Sequence, residues 1–192
     1  MSASESDDQK QVDEIMQRIA GDLSMIVDRP LKITTAPAQR VQARAAGAKT
    51  VHISFKLGIQ HGGRIAHGCL LIPLSDAIAL ACYLMMVPDD GVKSKRNLTT
   101  LDAGTKDSMM EIGNFIGGAT DAALRSIGMQ DIRVRSEGCQ GVRPNLRPAF
   151  AYEEGAPLIV ERAKAQLHTW PPFEMILMLP VLEPAGLSPA AS

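Results

Sequence analysis

The spacing of apolar residues along the chain predicts two long amphipathic helices. In residues 11–27 and again in residues 107–127, apolar side chains recur every three or four positions, which places them on one face of a helix. Gly128 directly follows the second segment, where a glycine commonly ends a helix. Residues 77–87 are almost all apolar and predict a third, buried helix that ends before Pro88.

Other segments have the patterns of strands. Residues 51–59 place an apolar side chain at every second position, which is typical of a strand with one buried face. The glycine pair 62–63 then supplies a turn, so we expect residues 65–72 to return as the second strand of a hairpin. Residues 92–103 and 137–155 are expected to be irregular. Further strands are predicted at 31–35, 131–136, 157–168 and 173–182.

Residues 38–49 contain the cations Arg40, Arg44 and Lys49 and no acidic residue. Such a segment can face the phosphate groups of a ligand, or it can form an ordinary solvated surface. The solvated surface is the more common of the two, and it is the interpretation that we favour for this segment.

The two long helices share a short sequence pattern. The order Glu-Ile-x-amide-x-Ile-x-Gly begins at Glu14 and again at Glu111, 97 positions later (111 − 14). Each helix is followed by a short strand and later by two longer strands, so the same order of elements occurs twice. A chance match is the alternative, since Glu and Ile are common on amphipathic helices.

A repeated order of this kind predicts an α+β fold with pseudo-two-fold symmetry. We expect one domain, residues 11–183, made of two similar halves at about 11–91 and 104–183. Its strands would form an antiparallel sheet with the long helices packed on one face. Residues 1–10 and 184–192 are expected to be disordered tails.

Composition narrows the class of protein. The chain has 192 residues, of which 45% are hydrophobic and 21% charged, and these values are typical of a globular domain. Lys and Arg number 20 against 21 Asp and Glu, and only 4% of residues are aromatic, so nucleic acid is not an expected partner. Polar residues and Pro73 interrupt the longest apolar stretch, so no membrane span is predicted.

The cysteines and histidines do not form a metal-binding pattern. Three dispersed cysteines and no apolar leader indicate a reducing cytoplasm and no disulfide framework. No Cys-x-x-Cys, His-x-x-x-His or His-Glu-x-x-His spacing occurs, so no metal site is expected.

Asp107, Glu111 and Asn114 are the residues that could carry chemistry. They are at positions i, i+4 and i+7, so they fall on one stripe of the second long helix. The apolar residues of this helix largely occupy its other faces. We expect the buried side to contain Met110, Ile112, Phe115, Ile116, Ala119 and Ala123.

Gly113, Gly117 and Gly118 lie in the same helix and weaken it, because an interior glycine costs about 1 kcal/mol relative to alanine. Two explanations are open. Close packing of the helix on the sheet is a structural reason for small residues, and close approach of a partner surface is a functional one.

These residues resemble the CheC, CheX and FliY group of chemotaxis phosphatases. The likeness lies in Asp107-x-x-x-Glu111-x-x-Asn114 and the Phe-Ile-Gly-Gly-Ala sequence of residues 115–119, and more weakly in residues 68–73 with the helix that follows. It extends over roughly residues 12–182. The resemblance implies a CheC-like α/β sandwich, in agreement with the repeated order of elements.

The resemblance also implies an enzyme, a hydrolase that removes the phosphoryl group from an aspartate of a CheY-like response regulator. Asn114 would orient the attacking water, because a carboxamide both donates and accepts hydrogen bonds. Glu111 would pair with a lysine of the partner, and Asp107 would support it. No cofactor would be bound by this chain, and Mg²⁺ is expected on the response regulator.

Several points stay open. Glu14 and Gln17 form either a degenerate second site or the solvated face of the first helix. The group usually has a proline about twenty residues after the Asn; residues 137–139 occupy that region here, and the next proline is Pro144. The fold also occurs in flagellar switch components, so the alternative function is a non-catalytic FliM/FliY-like module that binds a response regulator. A homodimer is a candidate assembly.

Overall fold

The computed structural model describes residues 3–182, with side chains from Glu5 onward. This range contains seven strands and four helices. In chain order they are α1 (Ala3–Val27), β1 (Leu31–Thr34), β2 (Gln39–Val41), β3 (His52–His61), β4 (Arg64–Pro73), α2 (Leu74–Leu84), α3 (Asp89–Lys95), α4 (Ala103–Ser126), β5 (Arg133–Val142), β6 (Leu158–Leu167) and β7 (Phe173–Pro180).

The sheet has an internal two-fold symmetry. Its strand order is β1-β6-β7-β4-β3-β5, all pairings are antiparallel, and β2 pairs with β6 off this path. Exchanging β1, β3 and β4 with β5, β6 and β7 reverses the order and leaves it otherwise the same. The strand order therefore agrees with the pseudo-two-fold fold predicted from the sequence, and the bounds of the domain and of its two halves stay predictions.

Each long helix lies over the outermost strand of its own half. Ser24 Oγ of α1 accepts a hydrogen bond from Leu31 N of β1 at 2.8 Å. At the other edge of the sheet, Asp121 Oδ1 of α4 accepts one from Val134 N of β5 at 2.8 Å. The prediction of an antiparallel sheet with long helices on one face is confirmed.

The main core lies between this face of the sheet and the helices. The alternating residues Ile53, Phe55, Leu57 and Ile59 of β3 all belong to it, as the sequence pattern predicted. Because each such side chain contributes about 1.5–3 kcal/mol when it is fully buried, this layer holds α4 firmly on the sheet.

Irregular segments cover the opposite face of the sheet. Phe150 and Tyr152 pack on a smaller apolar cluster there, and the Arg44 guanidinium lies 5.3 Å from the centre of the Tyr152 ring. Arg44 also pairs with Glu154 at 2.8 Å, while Arg40 pairs with a carboxylate of α1. The solvated-surface interpretation fits Arg40, whose side chain is 42% exposed despite its ion pair, whereas Arg44 is half-buried. A phosphate-binding role of this segment stays untested.

The first helix begins at Ala3, so the tail predicted for residues 1–10 is wrong for residues 3–10. Long-range contacts hold this end of the helix: Asp8 pairs with Arg40, and Gln9 Oε1 accepts from Ala38 N at 2.7 Å. Local sequence does not reveal such partners. The tail predicted at 184–192 lies outside the described residues.

Other elements also differ from the predictions. The helix predicted at 77–87 is α2, Leu74–Leu84, and the short strand β2 at Gln39–Val41 was not predicted. Residues 89–95 form α3, with acidic residues in its first turn and lysines in its last, a charge order that complements the helix dipole. The helix α4 starts at Ala103 because the Asp102 carboxylate accepts from Thr105 N at 2.7 Å. The strand β5 continues to Val142 through a bulge where Gly138 has φ 90°.

Glu161 is an acid in the core that the sequence analysis did not identify. It is 1% exposed on β6, and its Oε1 accepts from Ala36 N at 2.7 Å. The second carboxylate oxygen, Oε2, has no hydrogen-bond partner among the described residues. Burial raises the pKa of this carboxyl from its ordinary 4.5 to about 7.

The raised pKa of Glu161 predicts a pH-dependent stability. Because the folded protein holds the proton more tightly than the unfolded chain, this contribution is complete below pH 4.5 and is lost as pH rises through about 7. The variant Glu161→Gln keeps an acceptor for Ala36 N but does not ionise. We expect it to be more stable than wild type at pH 8 by about 2–3 kcal/mol, and similar at pH 4.5.

Urea unfolding at the two pH values measures this difference directly. Both proteins share every other titrating group. The pH dependence of the difference between their free energies of unfolding therefore reports Glu161 alone. An equal difference in the free energy of unfolding at pH 4.5 and pH 8 would contradict a raised pKa of Glu161.

Candidate functional site

Asp107, Glu111 and Asn114 lie together on the exposed side of α4. The opposite side of the helix is buried and includes Met109, Ile112, Ile116, Ala119 and Ala123. The capping of α4 by Asp102 and its packing on the sheet fix this orientation. The stripe predicted from the i, i+4, i+7 spacing is therefore present, and it faces away from the core.

The three polar side chains are almost free of contacts within the fold. Asn114 Nδ2 donates to Glu111 Oε2 at 3.4 Å, near the upper limit for a hydrogen bond. Among the described residues, Asp107 has no hydrogen bond or ion pair. Apart from this one long hydrogen bond between them, the two carboxylates and the carboxamide are available to bind a cation, a water molecule or another polar surface.

Two apolar residues border the stripe. Met110 is 43% exposed and Phe115 is 39% exposed, so the prediction that both are buried is wrong. At 100° per residue they lie about 40° and 100° from Asn114, on opposite sides of it and at the margins of the buried face. Phe and Met are enriched in protein interfaces relative to the rest of the surface, so both side chains are available to a protein partner.

The three glycines of α4 differ in their surroundings. A Cβ at Gly117 would lie 2.7 Å from the backbone nitrogen of Ser136, and one at Gly113 would lie 3.1 Å from Ser136 Oγ. Close packing on β5 thus explains these two residues. A Cβ at Gly118 would meet no atom within 4 Å, so the packing explanation fails for Gly118.

The corresponding surface of α1 is similar in sequence but differs in its contacts. Glu14 Oε1 accepts from Ser126 Oγ at 3.2 Å, and Gln17 Nε2 donates to Ile33 O at 3.4 Å. Lys10 occupies the place of Asp107 (107 − 97), so the charge at that position is reversed. These differences favour a degenerate surface over a second working site, and its lack of activity stays a prediction.

The region of the displaced proline is a bulged part of β5. Gly138 has φ 90° and lies beside Met110, whose Sδ is 3.7 Å from Cys139 Sγ. Pro144 lies beyond the end of β5, in the segment 143–157 that covers the opposite face of the sheet. Its neighbour Asn145 is tied to the irregular segment before β3, because Asn145 N donates to Gly47 O at 2.8 Å.

A cleft of about 410 Å³ lies at the start of α1, lined by Asp7, Asp8, Arg40, His61 and Asp131 among others, and it does not include Asn114. Within residues 3–182, no three His, Cys, Asp or Glu side chains are grouped so that they could hold a metal ion. No helix in that range is long and apolar enough to cross a membrane.

Comparison with known proteins relates the chain to others by structure alone. No family model matches the sequence, and no curated protein matches it significantly. FliY from Thermotoga maritima superposes with a TM-score of 0.72 at 14% identity, covering 94% of this chain and 91% of that chain. The FliM middle domain from H. pylori gives 0.68 at 10% identity, with 94% of both chains covered.

The chemotaxis protein CheX from Desulfovibrio desulfuricans gives a TM-score of 0.57 at 15% identity, covering 88% of this chain and 96% of that chain. The chain thus has a fold of the CheC, CheX and FliY type over nearly its whole length. At sequence identities this low, structural similarity establishes the fold alone, and evidence for an activity comes from the site.

Proposed function

We propose that this protein accelerates hydrolysis of the aspartyl phosphate on a CheY-like response regulator. The observation that carries the proposal is the exposed pair Glu111 and Asn114 on α4, whose polar atoms lack other partners in the described fold. The CheC/CheX/FliY-type fold supports it, because the same fold occurs in a chemotaxis protein, CheX. The site lies on the exposed side of a helix, where a protein substrate can reach it.

In the proposed reaction, Asn114 enters the partner's phosphorylation site and holds one water molecule in line with the phosphorus atom. The water oxygen forms a new bond to phosphorus, and the bond between phosphorus and the aspartate oxygen breaks. The products are inorganic phosphate and a free aspartate carboxylate. Positioning is the main contribution that a second protein can make, since phosphoryl transfer needs little covalent assistance.

The carboxylates of α4 would dock the partner. Glu111 lies one turn before Asn114 and would pair with a lysine of the response regulator, while Asp107, a further turn away, adds negative charge to the same surface. Mg²⁺ would belong to the partner, where it would neutralise charge on the phosphoryl group. A cytoplasmic location, which the cysteines predict, agrees with a partner of this kind.

The variant Glu111→Gln is expected to weaken docking and leave the chemical step largely intact. It removes one charge from the interface but keeps the size of the side chain. The receiver concentration at half-maximal rate should rise about 5- to 30-fold, equivalent to 1–2 kcal/mol, and the maximal rate should change little.

Glu153→Gln is the matched control, because Glu153 is an exposed acid on the opposite side of the sheet. It makes the same charge change and should leave both constants near the wild-type values. If Glu111→Gln lowers only the maximal rate, the docking role assigned to Glu111 is wrong.

The alternative function is a non-catalytic module that binds a response regulator or a structural partner. The same fold occurs in the FliM of the H. pylori FliG–FliM and FliM–SpeE complexes, in which it assembles with other proteins. The exposed Met110 and Phe115 would serve such a role equally well. A protein that binds a phosphorylated receiver domain without shortening its lifetime would fit this alternative.

The experiment that separates the two functions follows the loss of phosphate from a phosphorylated receiver domain, with this protein at a substoichiometric concentration. Turnover requires each molecule to act on many receivers, so a binding module cannot reproduce it. Binding to the phosphorylated and unphosphorylated receiver is measured in parallel.

A further inference from the structure

Gly118 is the glycine of α4 that the fold does not require. It is exposed, and a side chain there would meet no atom within 4 Å. A helical glycine at such a position weakens the helix and gains nothing from packing in return. Its neighbour Gly117 shows the contrast, since a Cβ there would lie 2.7 Å from a backbone atom of β5.

We propose that Gly118 is where the partner's surface rests on the backbone of α4, and that its lack of a side chain sets how far Asn114 reaches into the partner. The inference rests on the proposed function, because the partner is the phosphorylated receiver domain that Asn114 would enter. It adds a steric determinant to a site otherwise described by its polar groups.

The direction of helical side chains leads to this assignment. Gly118 is four residues after Asn114, so the two positions are adjacent on one face of α4, about 5–6 Å apart. Cα–Cβ bonds tilt toward the N-terminus of a helix, so a side chain at 118 would lean over the turn that carries Asn114. The glycine therefore leaves the carboxamide uncovered on its C-terminal side.

The other neighbours of Asn114 agree with an approach from this side. Glu111 and Met110 lie about one turn before it and have long side chains, and Phe115 borders it laterally. The surface is therefore lowest at Gly118. A protruding element of the receiver can enter there and contact the helix backbone while its basic groups meet the carboxylates of α4.

Substitutions at Gly118 should separate stability from activity. Gly118→Ala and Gly118→Leu are expected to raise the melting temperature by a few degrees, because both residues favour a helix more than glycine does. A leucine should lower kcat/KM for receiver dephosphorylation about 100-fold, since it would hold the partner more than 1 Å from its productive position. Alanine should give an intermediate loss.

Gly21→Leu is the matched control. Gly21 is the equivalent position of α1 (118 − 97), it is also exposed, and a Cβ there would also meet no atom within 4 Å. This variant should be stabilised to a similar degree and keep wild-type kcat/KM. The loss in Gly118→Leu should appear in both KM and kcat, because the leucine obstructs the contact and also holds Asn114 short of its working position. Removal of the Asn114 carboxamide should lower kcat alone.

Wild-type kcat/KM in a folded Gly118→Leu protein would overturn the inference, as would an equal loss in Gly21→Leu. Failure of the proposed function has a different signature, because the wild-type protein itself would then not accelerate dephosphorylation. In that case, binding to the phosphorylated receiver tests the same contact. Binding that is weaker by about tenfold or more in Gly118→Leu supports it, and equal binding, or none by either protein, overturns it.

Discussion

Replacing Asn114 by alanine is expected to slow phosphate release from a phosphorylated receiver domain by about 100-fold, while the protein stays folded and bound to that partner. The side chain is exposed, and its one hydrogen bond among the described residues, to Glu111, is 3.4 Å long, so its removal costs little stability. In the proposed reaction, the carboxamide acts only in the chemical step, in which the water attacks phosphorus. The loss should therefore appear in kcat and leave the half-saturating concentration near wild type.

Gln17→Ala is the companion measurement, because Gln17 is the amide at the equivalent place in α1. If the first half is degenerate, this variant should keep the dephosphorylation rate within about twofold of wild type. Such a change corresponds to less than about 0.5 kcal/mol in activation free energy. A thermal melt of each variant excludes unfolding as the cause of any loss. Full activity in Asn114→Ala would show that this amide is ordinary helix surface.

The largest effect on stability is expected from Gly117→Val. The new Cβ would lie 2.7 Å from Ser136 N, a backbone atom of β5 that moves only if the helix or the strand moves. Overpacking of this kind costs about 1–3 kcal/mol or more, so we expect the free energy of unfolding to fall by about 3 kcal/mol. For a chain of this length that is about 6–12 °C in the melting temperature.

The same substitution at the next residue is the control. Gly118→Val places an identical side chain in open space, and valine and glycine differ little in helix propensity, so its stability should stay within about 0.5 kcal/mol of wild type. Equal destabilisation by the two variants would contradict the close approach of α4 to β5.

The α4 stripe and the two-fold order of the elements could be predicted from the sequence because both depend on local periodicity. The spacing of Asp107, Glu111 and Asn114 is a property of any α-helix, and the alternation in β3 needs only a sheet with one buried face. These signals do not require knowledge of which distant residues meet.

What could not be predicted depends on long-range contacts. The start of α1 is held by Asp8 and Arg40, which are far apart in sequence, and no local pattern indicates that pair. Met110 and Phe115 are apolar residues at the margin of the buried face, where a small rotation of the helix decides their exposure. Gly117 and Gly118 are the same residue type, and only the position of β5 distinguishes their roles.

The central claim is that this protein acts catalytically on a phosphorylated receiver domain through α4. The most direct test compares the lifetime of a phosphorylated receiver domain from the same organism alone, with substoichiometric wild-type protein, and with the Asn114→Ala variant. The account predicts that wild type shortens the lifetime over many turnovers and that the variant loses about 100-fold of this rate while still binding. An unchanged lifetime with wild type, despite measurable binding, would contradict the claim and leave the non-catalytic binding module as its function.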